Sequence, residues 1–130
     1  MLRFRFSGGR LKLLEPTVRQ AVEQETKGAA VKGYAREVEG GKTMYEVETT
    51  VSGHTRDLLF DASGKLVETE EETPLSAVPP AVKTALEARG KVLKVETLTK
   101  GSTVTYEAQV EKNGKKSEVE VDANGKTPKK

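Results

Sequence analysis

The chain has 130 residues, of which 35% are hydrophobic and 32% charged, with a formal net charge of +2 and no cysteine. This length fits one ordinary globular domain with a modest core, and the lack of cysteine excludes disulfides, thiolate metal sites and a cysteine nucleophile. No segment approaches the roughly 18 consecutive apolar residues of a membrane helix, and residues 1–30 contain no apolar run typical of a secretory signal. The sequence therefore predicts no membrane insertion.

The positive charge is concentrated at the two ends of the sequence. Four cations precede the first acidic residue, Glu15, and three follow the last, Asp122. The body between them has more acidic than basic residues, and an acidic surface does not attract phosphate backbones. We therefore expect no nucleic acid partner.

The first predicted element is a short strand within an N-terminal basic segment, residues 1–13. In residues 2–6, leucine and phenylalanine alternate with arginine, which is the period of a strand with one apolar face. Serine and glycine follow it. Residues 2–6 are thus a possible extra strand.

Residues 15–27 are predicted to form a helix. Pro16 suits the first helical position, Val18, Ala21 and Val22 share one face, and Gly28 can end the helix. A helix this short is marginal in water unless its apolar stripe is packed. We expect a sheet to cover that stripe.

After the helix the hydrophobic period changes from 3.6 to 2. Tyr45 and Val47 alternate with Met44, Glu46 and Glu48, and the alternation continues through Leu58 and Phe60 against Asp57 and Leu59. Such alternation is typical of an antiparallel sheet covered on one side only. A fourth strand is predicted at residues 66–71.

The sequence then repeats this design. The helix pattern at residues 16–23 returns 64 positions later at residues 80–87, and the strand and turn patterns return 61 positions later. In the second copy Tyr106, Ala108 and Val110 alternate with polar residues, as do Val119 and Val121. We predict an α+β fold of two tandem helix-plus-antiparallel-sheet repeats, each α-β-β-β-β, with the helices packed on one face of the sheet.

The predicted boundaries are residues 14–72 for the first repeat, 73–77 for a linker and 78–130 for the second repeat. The second repeat is truncated at its last strand, because only Thr127 to Lys130 follow the final turn. That would leave an unpaired sheet edge. We predict that residues 2–6 pair there, beside the second repeat, in place of the missing strand.

The core is predicted from the same alternation. In each repeat the apolar strand positions should pack beneath the apolar helix stripe. The predicted members are Tyr45, Val47, Leu58 and Phe60 under Val18, Ala21 and Val22, and Tyr106, Val110, Val119 and Val121 under Val82, Ala85 and Leu86.

The residues able to carry chemistry are few. Asp61 to Lys65 and Asp122 to Lys126 superficially suggest calcium loops, but the other acidic ligands of such a loop are missing, which favours simple turns. His54 is the single histidine and lies in a predicted hairpin turn. No metal site, cofactor site or catalytic set is predicted, and we expect the protein not to be an enzyme.

The polar face of the predicted sheet is unusually acidic. Its interpretation is either ordinary solvation of an open sheet or a recognition surface for a basic or polar protein, with Met44 and Leu59 as apolar anchor points. The candidate protein-binding residues are Met44, Glu46, Glu48, Asp57, Leu59, Glu107, Glu118 and Glu120.

The ordered motifs P-x-V-[RK]-x-A-[VL]-E, Y-E-[VA] and D-A-x-G-K, each given twice, resemble the PepSY-like family, which is related to the beta-lactamase-inhibitor-protein fold. The resemblance covers roughly residues 14–126. It implies an α+β fold, a periplasmic or secreted location, and binding or restraint of peptidases or other enzymes, with no catalytic residues and no cofactor. A cystatin-like fold has a similar element order, but the cystatin motif Q-x-V-x-G is absent from the sequence.

Two functions of different classes follow. The first is a non-enzymatic tandem PepSY-like module that binds another protein through its open sheet face or hairpin loops, possible targets being a peptidase or another envelope enzyme. The alternative is a carrier of a small ligand or cation that uses the cleft between sheet and helices. The sequence contains no export signal, so a cytoplasmic location stays open beside the periplasmic or secreted one.

Overall fold

The computed structural model of the chain describes residues 14–128 and the backbone of residues 2–7. The chain divides into two compact units, Met1–Thr69 and Glu70–Lys130. Each unit has a helix that precedes a set of antiparallel strands, so the predicted α+β class is confirmed.

The first unit follows the predicted order of helix and strands, preceded by one further strand. Within it the strands are hydrogen-bonded in sequence order. The elements are β1 (Leu2–Ser7), α1 (Pro16–Glu25), β2 (Ala30–Glu39), β3 (Lys42–Val51), β4 (His54–Asp61) and β5 (Leu66–Glu72), whose last three residues belong to the second unit.

The second unit begins with the end of β5 and a short 3-10 turn. Thr73 donates its backbone N–H to the Val95 carbonyl at 2.9 Å, and its hydroxyl lies 2.6 Å from that of Thr97, so part of the predicted linker 73–77 is hydrogen-bonded to a strand. The other elements are the 3-10 turn Leu75–Ala77, α2 (Pro80–Glu87), β6 (Lys91–Lys100), β7 (Thr103–Lys112) and β8 (Lys115–Asp122).

Proline fixes the start of both helices. Pro16 and Pro80 stand at the first helical position, where the missing N–H costs nothing. Helix α1 ends with the N–H of Thr26 donating to the Val22 carbonyl at 3.0 Å, and Gly28 follows with φ of 80°. At ten and eight residues, neither described helix is long enough to cross a membrane.

Two-residue turns join β3 to β4 and β7 to β8. The turns Ser52-Gly53 and Asn113-Gly114 have positive φ at both residues, 50° and 83° in the first and 54° and 77° in the second. This is the conformation of a type I′ turn, whose twist matches that of the flanking strands. His54, predicted in the hairpin turn, is the first residue of β4 after it and is exposed.

Both units contain the same irregularity. The β2–β3 register shifts between Val31 and Gly33, and the β6–β7 register shifts between Val92 and Lys94. These sites are 61 positions apart, and the register on either side agrees at the same offset. Positions 61 apart are called corresponding positions below.

The core of the first unit lies between α1 and the strands. Val18, Val22, Val47, Leu58 and Phe60 have no exposed surface, and Ala21 packs at the margin. The predicted members are therefore confirmed. Leu14 and Tyr34 also belong to this core, with Val31 and Leu66 packed against it.

The second core has the same construction with smaller strand residues. Val82 and Leu86 of α2 are fully buried over Val110, Val119 and Val121, with Ala85 and Tyr106 at the margin. The prediction is again confirmed. Val78, Val95 and Ala108 complete the buried set.

The two D-A-x-G-K segments are turns, as predicted. Asp61 Oδ1 accepts hydrogen bonds from the Ser63 N–H, the Ser63 hydroxyl and the Lys65 N–H at 2.9, 2.6 and 3.0 Å. Asp122 Oδ1 accepts the N–H groups of Asn124 and Lys126 at 2.8 and 3.0 Å. The aspartate thus holds its own loop closed.

The glycine of each turn permits contact with the helix of its unit. Gly64 has φ of 89°, and a Cβ there would lie 2.9 Å from the Thr17 carbonyl oxygen. At Gly125, with φ of 78°, it would lie 2.5 Å from the Ala81 carbonyl oxygen. Both distances are below van der Waals contact, so the motif brings the turn against the first turn of the helix.

The predicted place of the N-terminal strand is wrong. Leu2–Ser7 does form a strand, but it pairs with β2 of the first unit and not beside the second repeat. Ser7 pairs with Gly33, whereas β8 begins only at Lys115, so pairing with β2 closes the shorter loop at the smaller entropy cost. The register also sets Arg3 opposite Glu37. The predicted side-chain alternation of residues 2–6 and the rest of the basic segment, residues 8–13, lie outside the described residues.

Candidate protein-binding face

The outer face is defined as the side of each unit's strands that points away from its helix. In the first unit it contains all five predicted residues from β3 and β4. Leu59 lies directly opposite Glu46, and Asp57 lies opposite Glu48. Met44 is opposite Asp61, one row further along.

These five side chains are all half-buried. Leu59 and Met44 therefore present part of their apolar surface among carboxylates. Glu48 and Asp57 carry like charges on directly opposed residues, an arrangement that costs stability. An apolar centre with a charged surround is the usual composition of a protein-binding patch.

On β2 the outer face is made of small residues. Ala35, opposite Glu46, is 1% exposed, and Gly33, opposite Glu48, is also buried. The central row of the first unit thus runs Ala35, Glu46, Leu59 across β2, β3 and β4. Leu59, at the β4 end of this row, is more exposed than Ala35 at the β2 end.

The second unit has a different central row. Glu96 is opposite Glu107, and Glu107 is opposite Glu120, so three glutamates follow one another across β6, β7 and β8. The neighbouring row contains Lys94, Gln109 and Glu118. Glu118 and Glu120 are exposed and Glu107 is half-buried.

Two contacts accompany this acidic row. Lys94 Nζ lies 4.0 Å from Glu96 Oε1, and the Thr105 hydroxyl donates to Glu120 Oε2 at 2.8 Å. Sequence reasoning missed Glu96 and Lys94. The register shift at residues 92–94 interrupts the period-2 pattern of β6, so alternation alone did not place them on the acidic face.

A hollow of about 210 Å³ lies on the second unit's outer face. It is lined by Lys94, Glu96, Glu107, Ala108, Gln109 and Glu118. This is not the cleft between sheet and helices that the carrier hypothesis requires. Within the described part of the chain no three His, Cys, Asp or Glu side chains are grouped to hold a metal ion.

Electrostatics distinguish one carboxylate at the edge of the face. The Ser63 hydroxyl, followed by the Lys65 N–H, lowers the pKa of Asp61 below its usual value of 3.8. This carboxylate stays charged at neutral pH, and its Oδ1 accepts the hydrogen bonds of its own turn. Asp61 therefore holds the loop closed through Oδ1.

The structure brings the predicted residues together as two sets, one in each unit. Met44, Glu46, Glu48, Asp57 and Leu59 are adjacent on two paired strands of the first unit, and Glu107, Glu118 and Glu120 are adjacent on two paired strands of the second. Among them, Glu46, Glu48, Asp57 and Glu107 each have an interaction partner.

Residues 81–125 match the sequence model of PepSY, described as the peptidase propeptide and YPEB domain. This segment runs from the start of α2 to the final turn. The predicted PepSY-like resemblance is thereby confirmed. No curated protein sequence matches the chain.

Three solved structures share the fold. A protein from Bacteroides eggerthii, described as an inferred periplasmic protein, has a TM-score of 0.71 at 21% identity and covers 87% of this chain and 84% of its own. A BLIP-like protein from Bacteroides fragilis has a TM-score of 0.64 at 24% identity, with 86% and 81% coverage. A DUF2874 family protein from Bacteroides ovatus has a TM-score of 0.70 at 18% identity, with 89% and 85% coverage.

Proposed function

We propose that this protein is a non-enzymatic binding module of two tandem PepSY-like repeats, residues 14–72 and 78–130 joined by 73–77, that binds another protein through its outer face. The observation that carries the proposal is the position of Leu59. It is a half-buried leucine opposite Glu46, with Asp57 two residues before it on the same strand. The binding residues are Met44, Glu46, Glu48, Asp57, Leu59, Glu107, Glu118 and Glu120.

The physical argument starts from the two sides of the sheet. In the first unit the helix covers the inner side, because Val18 and Val22 are fully buried against the strands. The outer side retains an apolar centre and many carboxylates. Apolar anchors supply binding energy where they are desolvated, and surrounding charges select the partner and speed its encounter. A partner with a basic rim around an apolar pocket fits this surface.

The target class follows from the family resemblance. The matching family is described by its peptidase propeptides, and one structural neighbour is described as BLIP-like. Both support restraint of a peptidase or another enzyme as the outcome of binding. The neighbour described as an inferred periplasmic protein supports action outside the cytoplasm, as a periplasmic or secreted protein.

The composition supports a role without catalysis. The sequence contains one histidine and no cysteine, and His54 lies exposed at the start of β4. General-base and nucleophilic mechanisms need paired groups held within hydrogen-bond distance. The hydroxyl residues nearest to it in the sequence, Ser52 and Thr55, are exposed on the same hairpin.

The carrier hypothesis has one observation in its favour, the hollow of about 210 Å³ beside Lys94 and Glu96. Calorimetric titration with calcium and with small cationic metabolites tests it. Saturable heat that disappears in Glu96→Gln, with no protein partner captured, would favour the carrier over the protein-binding module.

The test of the protein-binding proposal uses affinity capture from a bacterial envelope extract with identification of the captured proteins. We expect Leu59→Arg and Met44→Arg to lose a partner that the unaltered protein captures. Gln20→Arg is the matched control, because Gln20 is exposed on α1, away from the outer face. Each variant is first checked for folding by circular dichroism.

Restraint is tested on the captured protein itself. We expect the purified chain to lower the activity of a captured enzyme, and Leu59→Arg to leave that activity unchanged. Identical capture profiles for Leu59→Arg, Met44→Arg and the unaltered protein would exclude the outer face of the first unit as the binding surface.

A further inference from the structure

Among the described residues, the last strand of the second unit has an open edge, because β7 is the one strand that neighbours β8. In the first unit, the corresponding strand β4 is followed after its turn by β5, which lies beside it. After the second turn, by contrast, Thr127 and Pro128 are not in a strand.

The backbone groups at this edge can be identified from the hairpin. Asn113-Gly114 is a two-residue turn that sets Lys112 opposite Lys115. In such a hairpin these two residues bond to each other and the pairs alternate from there. The N–H and C=O groups of the alternate residues Lys116, Glu118 and Glu120 therefore point away from β7.

An independent hydrogen bond supports this assignment. Asp122 is the next residue in the same alternate series, and its N–H donates to the Lys126 carbonyl at 2.8 Å, on the side away from β7. Lys116, Glu118 and Glu120 are exposed. The edge thus offers donors and acceptors in the spacing of a strand.

The inner side of this edge is less completely covered than its counterpart. Val119 and Val121 are 7% and 3% exposed, whereas Leu58 and Phe60 at the corresponding positions are fully buried. In the first unit Leu66 of β5 packs on the core, while the corresponding Thr127 is exposed. A strand added beside β8 would gain burial from an apolar residue on this inner side.

The outer side of the edge selects charge. Glu118 and Glu120 stand on β8 itself, and Glu107 lies opposite Glu120 on β7. Side chains of an added strand would come within about 5 Å of these carboxylates. Lysine or arginine is favoured opposite Glu118 and Glu120, and an acidic residue is repelled there. Lys116 lies on the same side of β8, so an uncharged residue is favoured opposite it.

We propose that the edge of β8 accepts an extended segment of a partner protein as an additional strand, with apolar residues on its inner positions and lysine or arginine on the outer positions opposite Glu118 and Glu120. The main-chain bonds supply the pairing and the alternate side chains supply specificity, as in other cases of strand addition. The edge shares Glu107, Glu118 and Glu120 with the binding residues proposed above but does not use Met44 or Leu59, so it stands whether or not the outer face of the first unit binds.

A second copy of the chain is the less suitable occupant. Two β8 strands paired antiparallel about Glu118 would set Lys116 opposite Glu120 on both sides but would also set the Glu118 carboxylate against its copy. A segment with lysine or arginine opposite Glu118 and Glu120 and an uncharged residue opposite Lys116 meets no like charge, so charge complementarity favours the partner protein.

Two peptides taken from this sequence test the proposal on the full chain. The first has the sequence of residues 2–7, Leu-Arg-Phe-Arg-Phe-Ser, which alternates apolar and basic residues; the second has that of residues 66–72, Leu-Val-Glu-Thr-Glu-Glu-Glu, which is acidic. Both are blocked at their ends. The measurement is amide hydrogen exchange of the protein at saturating peptide, read by NMR at single residues.

We expect the basic peptide to slow exchange of the Lys116, Glu118 and Glu120 amides by at least about tenfold. The Ser117 and Val119 amides, which bond to β7, should change little. The acidic peptide should have no effect. In the double variant Glu118→Lys and Glu120→Lys the preference should reverse, which is possible without loss of folding because both side chains are exposed.

Glu118→Pro removes the central edge donor without removing a bond to β7, so it should abolish binding of the basic peptide. Glu118→Gln is the matched control and should retain weakened binding. If Glu118→Pro or the double variant fails to fold, the exchange measurements on the unaltered protein with the two peptides still test the proposal.

Three outcomes would overturn the proposal. The first is unchanged exchange at the β8 edge with the basic peptide, or protection confined to β2. The second is equal protection by both peptides, which indicates unspecific adhesion. The third is protection that rises with protein concentration in the absence of peptide, which assigns the edge to a second copy of the chain.

Discussion

The central outer rows of the two units share a register but not a chemistry. In the first unit the row is Ala35, Glu46, Leu59, and in the second the corresponding row is Glu96, Glu107, Glu120. In each unit the first residue of the row comes shortly after the register shift that the two units share. The backbone frame therefore does not determine the surface, since outward residues of a strand can change without disturbing the pleat.

The inner rows differ in volume. Tyr34, Val47 and Leu58 correspond to Val95, Ala108 and Val119 in the second unit. The larger residues are in the unit where β5 lies beside β4. The first unit thus combines larger core residues with a β4 strand that has β5 beside it. The second unit combines smaller core residues with a β8 strand that has only β7 beside it among the described strands.

The largest expected effect is the loss of unfolding free energy when a core residue of either unit is truncated. Phe60→Ala should lower the free energy of unfolding by about 3 to 5 kcal/mol, because the ring is fully buried. Val121→Ala, at the corresponding position, should cost about 1.5 to 3 kcal/mol because less apolar surface is lost. Urea denaturation measures both. Equal losses would contradict the comparison, and a loss under about 1 kcal/mol for Phe60→Ala would mean that the strand register is wrong.

The next effect concerns the contact between turn and helix. Gly125→Ala should destabilise more than Gly64→Ala, since the added Cβ would lie 2.5 Å rather than 2.9 Å from a helix carbonyl oxygen. We expect more than about 2 kcal/mol at Gly125 from strain and overlap together.

Gly101→Ala is the matched control for the backbone term. Gly101 has φ of 62° and open space around it, so its substitution should cost only about 1 kcal/mol. Thermal or urea denaturation of the three variants gives the order. A loss at Gly101 as large as at Gly125 would show that the helix contact contributes nothing.

A smaller effect is expected from the glutamate row. Glu120→Gln keeps a side-chain oxygen for the Thr105 hydroxyl and removes the like charge opposite Glu107. We expect it to raise the free energy of unfolding by about 0.5 kcal/mol at low salt, a gain that disappears at high salt. Glu118→Gln is the control, because Glu118 is opposite uncharged Gln109. Equal gains in both variants would rule out the row as the cause.

The smallest effect is a titration in the first D-A-x-G-K turn. The pKa of Asp61 is lowered mainly by the Ser63 hydroxyl, whereas Asn124, at the corresponding position, donates its backbone N–H to Asp122. Ser63→Ala should raise the pKa of Asp61 toward 3.8, and Ser63→Thr should leave it low. NMR titration of the side-chain carboxyl measures this, and an unchanged pKa in Ser63→Ala would contradict the assigned cause.

The sign of the associated stability change follows. A carboxyl group whose folded pKa is lowered stabilises the fold above its unfolded pKa and loses that contribution as the pH falls through the folded value. The window for Asp61 therefore lies below 3.8 in the unaltered protein. In Ser63→Ala the folded and unfolded values approach each other and the contribution shrinks.

The sequence by itself determined the local structure and the core. The period-2 pattern placed Leu58 and Phe60 inside and Leu59 outside, because side chains of a strand must alternate. Pro16 and Pro80 marked the helix starts, and the glycines of the turns marked their positive φ angles. These features depend on neighbouring residues, and so a single sequence is sufficient to predict them.

Only the tertiary structure decided which strands meet. The pattern of residues 2–6 fits any open edge, and the choice of β2 over the second unit depends on loop length and register, which alternation does not encode. The glutamate row also depended on pairing, since Glu96 meets Glu107 only through a register shifted at residues 92–94. The contact of Gly125 with the Ala81 carbonyl is of the same kind. Each joins residues distant in sequence, whose meeting is set by the free energy of the whole packed unit and not by any local preference.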